Sequence, residues 1–149
     1  MTVALACLSM PLAMLLGLTA ALARGWCTPL LGGGDRSESS AVRWGGRLAS
    51  LYVEVIRGTP LAFQLFVIYF ILPQAGIRIS EFWSGVAALA INYSAYEAEI
   101  FRLGLQAIPR GQLEAAFSLG MPRGLAVRRI LLPQAVRLVI PASANDFIA

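Results

Sequence analysis

Side chains capable of chemistry are sparse in this chain, so the places where they gather carry the information. Asn92, Tyr93, Tyr96 and Glu97 fall within about a turn and a half of one another if the segment is helical, inside an otherwise apolar run. Polar groups at membrane depth are costly and face either a cavity or a partner helix. A cavity lined by such groups would suit the passage of a zwitterionic solute, and the carboxylate of Glu97 would favour a cationic one. The other reading of the same residues is inter-helix hydrogen bonding with interfacial tyrosines. A second constellation begins at Glu114, where the chain reads E-A-A-x3-G-x9-I-x-L-P from Glu114 to Pro133. If Pro109 opens a helix and Gly120 closes it, Leu113, Ala116, Phe117 and Gly120 share one face. Glu114, Ala115 and Ser118 then point away from it. Such a helix would rest its apolar face on neighbouring helices and present a carboxylate, with the small Ala115 beside it, to a partner.

Other chemistries are poorly served. The chain has no His, which removes the commonest general base and metal ligand. Ser143 and Asp146 therefore lack the imidazole a hydrolase would need. Cys7 lies within an apolar segment and Cys27 beyond it, which fits neither a disulfide framework nor a metal site. No Gly-rich phosphate loop with Lys is present, so no nucleotide site is expected. No cofactor is expected either.

Composition sets the solvent. Of 149 residues 58% are hydrophobic and 13% charged, against about a quarter charged in soluble domains. The formal charge of +4 comes from 12 basic residues, all Arg. They are scattered between apolar segments, which suits membrane orientation better than nucleic acid.

Val3 to Leu22 is an uncharged run long enough to cross a bilayer, followed and not preceded by Arg, so a retained helix is expected in place of a cleaved leader. Ser9, Ala13, Gly17 and Ala21 recur every fourth residue, a stripe that would let another helix approach closely. Residues 23–58 read as a polar loop, glycine- and serine-rich in its first half, with a short amphipathic approach over Leu51 to Ile56. A second membrane segment is expected over 60–72, a third over 82–98, and the start of a fourth over 131–149. Between them Pro73 to Gly76 breaks the chain, and residues 99–130 form a second polar loop. Glu54 with Arg57, and Glu99 with Arg102, are expected i, i+3 ion pairs at the boundaries. Arg counts by loop are five, one and five, which places the N-terminus outside and both Arg-rich loops in the cytoplasm.

The spacing from Glu114 to Pro133 resembles the cytoplasmic coupling loop of permease subunits in binding-protein-dependent ABC importers. The blocks Tyr52 to Leu61, Asn92 to Tyr96, Glu99 to Arg102, Ile108 to Gln112 and Pro133 to Ala135 resemble the branch that carries polar amino acids. That resemblance implies an all-α, multi-pass transmembrane bundle that dimerises with itself or a related permease. It implies two ABC ATPase subunits engaging the coupling helix, an extracytoplasmic solute-binding protein delivering a polar amino acid, and no catalysis by the permease itself. Gly111, Glu114, Ala115, Ala116 and Gly120 carry over as coupling positions. The family usually has five membrane helices, so the resemblance also implies that the last of them are missing here. Rival readings are a truncated remnant that does not transport, and a small membrane anchor that recruits a cytoplasmic partner.

Overall fold

The computed structural model describes residues 2–24 and 40–148, and every regular element there is helical. Residues 25–39, which hold Cys27, Arg36 and most of the Gly- and Ser-rich run, lie outside the described residues. Helix α1 is Thr2–Ala23 and α2 is Ser40–Gly58. Helix α3 is Leu61–Phe66, continued by a π segment, Val67–Ile71, and a 3-10 turn, Leu72–Ala75. Helix α4 is Glu81–Gln106, α5 is Arg110–Ser118 and α6 is Arg123–Ala126. A further π segment, Val127–Leu131, leads into α7, Leu132–Ile148.

Helix α4 is the axis of the bundle: α1, α2, α3 and α7 all pack on it. The predicted small-residue stripe of α1 is the face that does so, with Ser9, Ala13, Gly17 and Ala21 all buried. A β-carbon on Gly17 would stand 2.7 Å from Cβ of Glu97 and 2.8 Å from the carbonyl oxygen of Ser94. Helix α7 approaches α4 as closely, because a β-carbon on Gly104 would meet Val139 at 2.6 Å. The outer face of α1 exposes Leu8, Leu12, Leu15, Leu16, Leu18 and Leu22. Helix α1 alone among the described helices has the length and mean hydropathy to cross a bilayer unaided. Helices α2 and α3 qualify only as a pair bent by 101°.

Two expectations need correction. The polar loop drawn over 23–58 gives way at Ser40 to a 19-residue helix. Its apolar residues Trp44, Leu48, Leu51 and Val55 recur at helical spacing, and Gly45 and Gly46 in its first half do not break it. The bend falls at Thr59, which precedes Pro60 and is thereby pushed out of the helical region. Second, α4 continues well past residue 98 to Gln106. The segment expected to open a further helix from residue 131 is helical through Pro133 to Ile148. The sequence Leu-Pro-Gln-Ala occurs at 72–75 and again at 132–135, each time directly after a five-residue π segment. Proline lacks an N–H and crowds the carbonyl four residues back, and a widened turn relieves both constraints.

Candidate functional site

The helix around Glu114 is built from both ends. Pro109 sits before it with φ −61° and ψ 128°, extended and unable to continue a helix backwards. At the other end Gly120 takes φ 75°. Its N–H donates to the carbonyl of Phe117 at 2.9 Å, and the N–H of Met121 donates to that of Ala116 at 3.0 Å. This pair of bonds is the Schellman cap, which requires a left-handed residue where Gly120 stands. Met121 completes it by packing on the apolar cluster of Ile108, Leu113, Ala116, Ala126, Leu131 and Ala135.

One face of α5 is thus fixed to α6 and the start of α7, through Leu113 and Ala116, both 3% exposed. Gln134 adds a side-chain hydrogen bond to Gln112. The opposite face carries Gly111, Glu114, Ala115 and Ser118, all exposed. Gly120, expected on the buried face, is exposed at the cap. Leu119, which the sequence reading overlooked, is 85% exposed. Its signal was there: it lies off the Leu113–Ala116–Phe117 stripe, so a large apolar side chain faces outward one turn on from Ala115.

The polar cluster of α4 separates into different partnerships. Asn92 donates from Nδ2 to Gln64 Oε1 at 3.3 Å. Gln64 Nε2 in turn donates to the carbonyl of Ile56 at 2.9 Å and to Thr59 Oγ1 at 2.7 Å, spanning the α2–α3 corner. Tyr96 is 38% exposed with the Arg57 guanidinium 5.3 Å from its ring centroid. No ion pair joins Glu54 to Arg57 among the described residues, contrary to expectation. Tyr93 is half-buried.

Glu97 is fully buried. Ser143 of α7 donates to its Oε2 at 2.7 Å, while Oε1 is buried with no hydrogen-bond partner among the described residues. On the same helix Ser94 Oγ lies 2.6 Å from Tyr52 Oη. One residue past the third apolar segment, Glu99 pairs with Arg102, whose Nε donates at 2.7 Å, and with Arg24 Nη1 at 3.4 Å. The Arg102 hydrogen bonds hold the Glu99 carboxyl below its ordinary range. Arg24, Arg57, Glu54, Tyr96, Glu99 and Arg102 border a cleft of about 570 Å³. Sequence reasoning missed Gln64, Ser94 and Ser143 as partners, because nothing in a single sequence says which distant polar residue will arrive opposite.

Comparison with known proteins adds to this geometry. A sequence model described as "Binding-protein-dependent transport system inner membrane component" matches residues 30–149. The arginine transport system permease protein ArtQ of Bacillus subtilis is 48% identical over 102 residues, 68% of this chain and 47% of that protein. The L-cystine transport system permease protein TcyB of Bacillus subtilis is 38% identical over 148 residues, 99% of this chain and 57% of that protein. A crystal structure described as an amino acid ABC transporter with histidines superimposes with a TM-score of 0.85 at 45% identity. It covers 99% of this chain and 63% of that chain. The chain therefore spans about half the length of the curated relatives it matches.

Proposed function

The chain belongs to the family of binding-protein-dependent transport system inner membrane components, and from that premise we propose that it is the permease part of an ATP-driven importer of polar amino acids. The observation that carries the proposal is the anatomy of α5. One face is cemented to α6 and α7, while the other offers Gly111, Glu114, Ala115, Ser118 and Leu119 to a partner. A push on that outer face is delivered to α7 through Leu113 and Ala116, and from α7 to α4 through Ser143 and Glu97. Packed elements with two discrete arrangements amplify small displacements of this kind.

The partner on that face is an ABC ATPase, which performs the hydrolysis. A solute-binding protein supplies substrate from the far side, and a second permease, identical or related, completes the pathway. The N-terminus lies outside and α5 lies on the cytoplasmic side. Arginine and cystine in the relatives' names and histidine in the solved structure support a polar amino acid as cargo. Of the four α4 residues proposed to line the path, Tyr96 borders the cleft, while Glu97 is enclosed between helices and would meet a solute only when they part. Asn92 is engaged at the α2–α3 corner and Tyr96 beneath Arg57. The orphan oxygen of Glu97 is an acceptor for a cationic side chain.

The test is crosslinking. With Cys7 and Cys27 replaced by Ser, Ser118→Cys should crosslink to a co-expressed ATPase subunit, and Glu114→Arg should abolish both that crosslink and uptake while membrane insertion is unchanged. Labelling of the Ser118→Cys thiol from the periplasmic side would overturn the proposal.

A further inference from the structure

Helix α2 has two apolar sides, and among the described residues only one is packed. Val53 is 2% exposed, and with Tyr52 and Ile56 it packs in a cluster with Ala95 and Ala98 of α4. About half a turn round the helix from Val53, Trp44, Leu48, Leu51 and Val55 form a continuous strip, 61, 63, 57 and 52% exposed. The strip therefore points away from the bundle. By sequence α2 holds three Arg and a single acid, Glu54; Arg57 turns to Tyr96 of α4, and Arg47 borders the strip. The Arg47 guanidinium lies 5.5 Å from the Trp44 ring centroid, a cation on an aromatic face.

A helix with a narrow apolar strip, Trp at its edge, Arg beside it and low net hydrophobicity is built to lie in the plane of a membrane interface. The 101° bend to α3 lets α2 lie along the surface while α3 turns inward. We propose that α2 is an interfacial anchor for anionic lipid, with Trp44, Leu48, Leu51 and Val55 sunk to the headgroup–acyl boundary and Arg47 at the lipid phosphates. This rests on the membrane location of the chain and is independent of its role in transport. An excess of Arg over acid favours an anionic leaflet over a neutral one, at about 1 kcal/mol per basic residue near the surface.

The experiment uses the full chain in vesicles of phosphatidylcholine with phosphatidylglycerol, with Trp26→Phe and Trp83→Phe leaving Trp44 as the one indole. Its emission should be blue-shifted. Lipid brominated near the headgroup end of the acyl chain should quench it more than lipid brominated near the methyl end. Brominated phosphatidylglycerol should quench better than brominated phosphatidylcholine, and Arg47→Gln should lower that preference by about fivefold. Leu51→Glu should shift the emission to the red. Three results would overturn the proposal: quenching by aqueous iodide but not by lipid, strongest quenching from the methyl end, or efficient crosslinking of Leu48→Cys between copies, which would mean a second chain covers the strip. Resistance of the chain to alkaline carbonate extraction, measured alongside, separates the two readings. If the chain is extracted the membrane reading itself is lost, whereas a resistant chain with a water-exposed Trp44 sinks only the anchor.

Discussion

Ser143 reaches across 46 residues of sequence to donate its hydroxyl to Glu97 at 2.7 Å, joining α7 to α4 inside the bundle. The carboxylate is fully buried and its other oxygen has no partner among the described residues. Losing one partner of a buried polar pair costs about 1–3 kcal/mol, so Ser143→Ala should lower stability in detergent by that order. Glu97→Gln keeps an acceptor for Ser143 and should fold. If Glu97 meets the cargo, this variant should lose uptake of arginine relative to glutamine; an unchanged ranking in a competitive uptake assay would remove Glu97 from the path.

Gly17 and Glu97 are in contact at the α1–α4 interface, where an added β-carbon would stand 2.7 Å from Cβ of Glu97. Both neighbours are held by helix backbones, so Gly17→Ala should cost about 1–3 kcal/mol by overpacking. Gly17→Leu should prevent α1 from docking. Gly85, where an added β-carbon would meet only the flexible end of Leu5 at 3.3 Å, serves as the control: Gly85→Ala should melt close to wild type.

Gly120 and Glu114 should fail in different ways. At φ 75° a β-carbon is strained, and Gly120→Ala should destabilise the cap by about 1 kcal/mol. Glu114→Ala and Leu119→Ala touch no buried contact and should leave the melting temperature unchanged while weakening capture of the ATPase in a pull-down. Equal loss of stability in all three would contradict this division.

Gln64 is the keystone of the α2–α3 corner, bonded to Ile56, Thr59 and Asn92. Gln64→Ala takes the partner from Asn92 and unties the corner from α4, although Ile56 and Thr59 keep their bonds to each other. It should cost more than Asn92→Ala, whose loss leaves Gln64 its bonds to the corner. Spin labels on α2 and α3 would report the difference as a broader distance distribution for Gln64→Ala alone.

Glu99 gives a pH dependence of defined sign. Its folded carboxyl is held below the ordinary 4.5 by Arg102, so the pair's contribution is fully present above about pH 4.5. It is lost as the pH falls through the lower folded value. Stability of the wild type should decline on that acid side, and Glu99→Gln should flatten this part of the curve; identical acid limbs would mean the pair contributes nothing.

Much of the form of α5 was legible. Pro109, Gly120 and the Leu113–Ala116–Phe117 spacing define a nine-residue helix and its cap, because these are local constraints on backbone dihedrals and periodicity. The stripe from Ser9 to Ala21 was legible for the same reason. Helix α2 was missed where Gly45, Gly46 and Arg residues masked the period of Trp44, Leu48 and Leu51. The helix from residue 131 was expected, but the widened turn before Pro133 that lets it continue was not, because a π segment has no signature in a single sequence.

Sequence by itself determined which segments are apolar, where the chain must cap or bend, and which residues stand on one helical face, since each depends on neighbours a few positions away. Tertiary structure alone decided who meets whom. Asn92 meets Gln64, Glu97 meets Ser143 and stands against Gly17, and Arg57 lies on Tyr96 instead of pairing with Glu54. Those pairings follow from the crossing and rotation of whole helices around α4, and are set by the sum of many contacts along each interface, which no short stretch of residues encodes.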